Sequence, residues 1–209
     1  MKISEILLKY KTDKNYGTIK NIYNNLDERI IVDNPDPVIG HTYGESYDEV
    51  FEKFNKNDNI NILEIGIQKG GSLLAWKEYF VNANIYGVDI VDSIIDEYRR
   101  DYINYIIADI KDDKVKEILK DTNFDIIIDD GSHQLYDVLY VVSNYLDKLN
   151  LNGYLIIEDC QQPEFWFSEI SKIVPSNYRI IQKDLRNDIP LWPDKNHYDN
   201  FLIIIERVQ

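Results

Sequence analysis

From residue 60 onward the chain alternates short β-branched apolar runs with helix-patterned stretches, and this alternation restricts its possible folds more than any other feature. Candidate strands lie at 60–65, 84–88, 103–107, 124–129 and 154–158. Helices fit between them at 71–80, 93–101, 111–120 and 134–149. Repeated strand–helix units predict a mostly parallel sheet with helices on both faces. The helix over 134–149 has the clearest signature, with Leu135, Val138, Leu139, Val142, Leu146 and Leu149 on one face. Asn152-Gly153 then turns the chain into the next strand. Pro163 can open another helix, which must stop before Pro175. Runs 178–183 and 201–207 have no long helix between them, so one antiparallel strand is expected near the C-terminus. The predicted fold is α/β: a Rossmann-like, doubly wound sheet of seven strands.

Residues 1–58 differ in texture and predict a helical extension or lid ahead of a domain covering 59–209. Ile3, Ile6, Leu7 and Tyr10 share one helical face, and Ile19, Ile22, Tyr23 and Leu26 suggest a second short helix. Asp33-Asn-Pro-Asp-Pro37 must be loop. Ser46 and Glu49 match a capping box, which opens a helix whose stripe is Tyr47, Val50, Phe51 and Phe54.

Composition narrows the partners. A formal charge of −14 repels nucleic-acid phosphates and anionic membrane surfaces, and no basic run exceeds Arg99-Arg100. The single cysteine, Cys160, excludes an internal disulfide and is expected to be a small buried hydrophobe. No apolar run approaches the ~20 residues of a membrane span, and the start is too short and charged for a signal peptide. A soluble, cytoplasmic protein is expected, with a weak preference for a homodimer.

Chemistry concentrates at the strand ends. The run over 125–133 closes on Asp129-Asp130-Gly131-Ser132-His133, and the next closes on Glu158-Asp159. Ligands of an open α/β sheet collect at the carboxyl ends of its strands. These acids and one imidazole should therefore meet in a crevice, as a candidate divalent-metal site with a base beside it. Oxygen donors suit Mg²⁺, Mn²⁺ or Ca²⁺ over zinc. Asp129 fits three roles at this point: metal ligand, partner of His133, or structural acceptor.

The first strand-to-helix turn carries Glu64-Ile-Gly66 and then Gly70-Gly71-Ser72, where glycine allows close approach of a ligand to backbone. An acid ahead of the loop suits a cationic amino group and disfavours phosphate. Asp89, about 20 residues further on, is placed to grip ribose hydroxyls, and Asp109 to accept from an exocyclic amine. A nucleoside with a cationic amino-acid tail and no phosphate fits this set, and S-adenosyl-L-methionine answers that description. Expected contacts are Glu64, Gly66, Gly70, Ser72, Asp89, Asp109 and Asp129.

These segments, with Tyr86-Gly87-Val88-Asp89 and Leu151-Asn-Gly153-Tyr-Leu-Ile-Ile-Glu158-Asp159, resemble class I S-adenosylmethionine-dependent methyltransferases over residues 60–209. Asp129-Asp130-Gly131-Ser132-His133 with Glu158-Asp159, Tyr10-Lys-Thr12-Asp13-Lys14 and His41-Thr-Tyr43 is similar to the metal-dependent sugar O-methyltransferases of macrolide and tetracenomycin glycoside tailoring. The resemblance implies Mg²⁺ on Asp130, Glu158 and Asp159, His133 as general base, and a sugar or glycoside as acceptor. Lys11 departs from the glycine that often precedes Thr-Asp-Lys in that family.

Other readings stand beside this one: a catechol-type O-methyltransferase, a nicotinamide-dependent oxidoreductase on a similar sheet, or a non-catalytic binding module. The irregular glycine spacing and Glu64 count against the oxidoreductase. His41 and Tyr43 fit either a lid or helix packing, and Asp13 and Lys14 fit a surface pair. Trp166, Trp192 and Tyr198 fit either a sugar platform or packing. His197 and Asp199 are candidates for the acceptor pocket.

Overall fold

The first parallel pairing sets the frame: Ile62–Ile65 lies in register with Ile85–Val88 on one side and with Ile126–Asp129 on the other. Apart from Glu64 and the terminal Asp129 these runs are largely apolar on both faces, because helices cover both. The structure is a computed structural model that describes residues 1–10, 12–14, 41–186 and 200–209. The expected helix at 19–26, the Asp33–Pro37 loop, Lys11, Trp192, His197, Tyr198 and Asp199 lie outside the described residues.

In chain order the described elements begin with helices α1 (Ile3–Lys9) and α2 (Gly44–Phe51). They continue with β1 (Asn61–Ile65), α3 (Gly71–Tyr79), β2 (Asn84–Asp89), β3 (Asn104–Ile107), α4 (Asp113–Leu119), β4 (Phe124–Asp129) and α5 (Leu135–Tyr145). Last come β5 (Leu149–Ile157), α6 (Pro163–Ile173), β6 (Tyr178–Asp184) and β7 (Phe201–Arg207). The strands form one seven-stranded sheet in the order β3-β2-β1-β4-β5-β7-β6. Only β7 runs against the rest: it pairs antiparallel with both β5 and β6. The expected architecture is therefore present, including its one reversed strand.

Two buried layers flank the sheet. One joins Ile62, Ile85 and Ile128 to Trp76 and Phe80 and takes in Ile3, Leu7, Tyr47 and Phe51 from α1 and α2. The other joins Leu63, Ile127 and Leu155 to Val138, Val142 and Ile170. Cys160 and Trp166 belong to this second layer, so Trp166 is a core residue.

Three local expectations need correction. The helix expected over 93–101 is one 3₁₀ turn, Asp96–Tyr98, because the segment buries only Ile94 and has no apolar stripe to hold a longer helix against the sheet. Strand β5 starts at Leu149, where a helix was expected to finish, and its pairing with β4 shifts register between Phe124 and Ile126. Ser46 caps nothing. Helix α2 begins two residues earlier, and its start is anchored by backbone pairing of Tyr43 N–H to Lys14 C=O at 3.1 Å. Among the described residues no helix is long and apolar enough to cross a membrane.

Candidate active site

The strand order reverses between β1 and β4, and the crevice outside their carboxyl ends is where such sheets bind ligands. Gly66 turns away from β1 at φ 85°, and a Cβ there would stand 1.9 Å from the carbonyl oxygen of Asp130. The two loops thus lie backbone against backbone, closed by Asp130 N–H to Ile65 C=O at 2.9 Å. Gly70, also at φ 85°, starts α3.

Two cavities meet at this crossing, sharing Gly66, Gln68 and Asp130. One, of about 290 Å³, is lined by Asp89, Asp109 and Asp129. The other, of about 560 Å³, is lined by Gly70 and Ser72 and by Tyr10, Thr12, Asp13 and Lys14. The candidate cofactor residues are thus divided between two arms of one crevice. Glu64 lines neither; it is fully buried beneath the loop, where its Oε2 accepts from the Trp76 indole at 2.7 Å.

The acids of the first arm already brace backbone. Asp89 Oδ2 accepts from the amides of Ile67 at 2.9 Å and Gln68 at 3.0 Å, and so shapes the glycine loop from the end of β2. Asp109 Oδ1 takes the Lys111 amide at 2.9 Å. Asp129 Oδ1 takes the Gly131 amide at 3.3 Å, while its Oδ2 is buried with no hydrogen-bond partner among the described residues. Burial raises the Asp129 carboxyl to a pKa of about 6.

Asp130, His133 and Asp159 offer ligand atoms that all lie within 4.8 Å of one another. His133 Nε2 stands 3.9 Å from Asp130 Oδ1 and 3.6 Å from Asp159 Oδ2. His133 (φ 52°) and Asp159 (φ 53°) both hold left-handed backbone, which costs free energy in non-glycine residues and concentrates where function demands it. Tyr43 and His41 reach Asp159 from outside the sheet. Their rings stack at 4.7 Å, and His41 Nε2 lies 3.4 Å from Asp159 Oδ1.

Glu158 is not part of that group. It is buried, its carboxylate is held by Lys14 Nζ at 2.9 and 3.0 Å, and it also accepts from the Tyr47 hydroxyl. Burial raises its pKa to about 7, with Lys14 opposing the shift. Lys14 is only 2% exposed, which corrects the expected surface pair with Asp13. Burial works against its ammonium, but Asp130, Glu158 and Glu64 together hold its pKa well above the usual lysine value. Lys14, Tyr43 and Tyr47 thus belong to the site: the Thr12-Asp13-Lys14 and His41-Thr-Tyr43 segments mark the first two in the sequence, whereas Tyr47 reads there only as part of an apolar helix stripe.

A seven-stranded sheet reversed only at β7, with a glycine loop after β1 and acids after β2, β4 and β5, defines the class I methyltransferase fold. Solved structures agree. The MycE methyltransferase from the mycinamycin biosynthetic pathway, in complex with Mg, SAH and mycinamycin VI, superposes at a TM-score of 0.57 with 24% identity, over 81% of this chain and 49% of that one. A putative rRNA-methylase from Clostridium thermocellum superposes at 0.61 with 14% identity, over 82% of this chain and 98% of that one.

Among curated proteins, the 8-demethyl-8-alpha-L-rhamnosyl tetracenomycin-C 2'-O-methyltransferase of Streptomyces olivaceus is 34% identical over 135 residues, 60% of this chain and 35% of that protein. The mycinamicin VI 2''-O-methyltransferase of Micromonospora griseorubida is 34% identical over 129 residues, 57% and 31% of the respective chains. The named homologues are thus O-methyltransferases of macrolide and tetracenomycin glycosides. This chain spans about a third of the length of these relatives. No family model matches it.

Proposed function

We propose that this chain transfers a methyl group from S-adenosyl-L-methionine to a hydroxyl of a sugar, glycoside or similar small polyol, with a divalent cation assisting. The observation that carries the proposal is the convergence of Asp130, His133 and Asp159 beside the glycine loop. Glycoside-acting O-methyltransferases among its relatives support the choice of acceptor.

The donor set suits a hard cation. Asp130 and Asp159 are the carboxylates with side chains still partly open, 12% and 15% exposed, whereas the Glu158 side chain is closed off at 1%. Asp130 and Asp159 would hold the ion from the open side, with Glu158 behind them. When bound, a hard divalent ion lowers the pKa of a hydroxyl it touches.

His133 is 28% exposed, enough to meet an acceptor, and its Nε2 would take the hydroxyl proton during attack on the sulfonium methyl. Asp159, 3.6 Å from that nitrogen, stabilises the imidazolium that results. The two cavity arms would seat the donor across Gly66, its nucleoside towards Asp89, Asp109 and Asp129 and its amino-acid end towards Gly70 and Ser72. Holding donor and acceptor together supplies much of the remaining acceleration, up to about 7–11 kcal/mol in favourable systems.

The test is methyl transfer from S-adenosylmethionine to a panel of sugar nucleotides and glycosides with Mg²⁺ present. Transfer that stops in excess chelator is expected. Tight binding of NAD with no response to the methyl donor would overturn the proposal, and full activity in chelator would remove the cation from it.

A further inference from the structure

The Lys14 ammonium sits in surroundings that resemble a metal position. Its Nζ lies 2.5 Å from Asp130 Oδ2, 2.9 and 3.0 Å from the two oxygens of Glu158, and 3.5 Å from Glu64 Oε1. All three carboxylates come from strand ends of the sheet, while the lysine comes from the chain before it. Glu64 Oε1 has no hydrogen-bond partner among the described residues and is fully buried, so the ammonium is the cation nearest to it. Three carboxylates thus surround one ammonium, and the Tyr47 hydroxyl donates to one of them, Glu158.

Asp130 joins this group to the other one. Its Oδ2 faces Lys14, while its Oδ1 faces His133 and the side where Asp159 stands. Two-metal sites use such paired oxygens to hold ions about 3.5–4 Å apart. We propose that the centre is built for two positive charges bridged by Asp130, and that the Lys14 ammonium permanently fills the inner one, leaving only the outer position to a divalent ion. Lys14 is then a positioning residue: it orients Glu158 and Asp130, and a tethered charge replaces a second ion that would otherwise compete for Asp130. The outer position rests on the metal-assisted reading above; the inner one does not.

The experiment counts Mn²⁺ bound per chain by electron paramagnetic resonance in the wild type, Lys14→Ala, and Lys14→Ala/Glu158→Gln. One ion is expected in the wild type. Lys14→Ala should bind one ion more, with the exchange-broadened spectrum of neighbouring Mn²⁺ ions, and the double variant should return to the wild-type count. If Lys14→Ala folds only when Mn²⁺ is supplied, the added ion is again counted and supports the proposal. A wild type that binds none beside a Lys14→Ala that binds one removes the metal-assisted reading and keeps the inner position. Equal counts in wild type and Lys14→Ala overturn the proposal. So does a variant that Mn²⁺ cannot restore to the folded state, or an extra ion that persists in the double variant.

Discussion

The Tyr43 hydroxyl and Asp159 hold each other twice: the hydroxyl donates to Oδ1 at 2.5 Å, and the Asp159 amide donates back to the same phenolic oxygen at 3.2 Å. A residue before the sheet domain thereby sets the side chain and left-handed backbone of a candidate metal ligand. Partners of this kind tune ligand orientation, and their loss lowers metal affinity by about 10–100-fold. Tyr43→Phe keeps the buried ring and removes the hydroxyl. Mn²⁺ affinity, measured by calorimetry, should fall by that factor; unchanged affinity would show that Asp159 is not positioned from Tyr43.

His133 carries the proton in the proposed reaction. His133→Ala should lower turnover by about 10²–10⁴-fold, the usual worth of a positioned acid–base group. S-adenosylmethionine affinity should be unaltered, because the cavity arms are lined by other residues. Turnover at the wild-type rate would end the base assignment.

Gly66 is the position where β1 and β4 leave no room for a side chain. Gly66→Ala adds strain at φ 85°, roughly 1–3 kcal/mol, and drives a methyl into the Asp130 carbonyl 1.9 Å away. Chemical denaturation should show a loss at the top of that range or beyond, with weakened Mn²⁺ binding because Asp130 must shift. A variant as stable as wild type would contradict this packing of the two loops.

Cys160 follows the Glu158-Asp159 pair yet has no accessible surface, and burial raises its thiol pKa well beyond the ordinary range. The folded protein should present no thiol to an aromatic disulfide reagent at pH 8 and one equivalent after unfolding. Rapid labelling of the native state would show that the segment after β5 opens.

Some of this site was readable in the chain. Asp129, Asp130, Glu158 and Asp159 end β-branched runs, and a strand that stops at the switch point of a parallel sheet must deliver its last side chains there. Gly66 and Gly70 were equally legible, since both hold left-handed turns. The segment around Ile94 was misread because scattered apolar residues imitate a helical stripe until burial is known. Ser46 was misread because a capping box is a local pattern, whereas the start of α2 is set by pairing with Lys14.

Fold class, sheet direction and the acids of the crevice follow from the order of residues, because apolar periodicity and strand ends are written over a few neighbouring positions. The partition of those acids does not. Lys14 meets Asp130 across 116 residues and Glu158 across 144, and Tyr43 meets Asp159 across 116. An ion pair between such distant positions leaves no periodic trace, since its energy depends on burial and direction, which exist only once the helices before the sheet have packed against it.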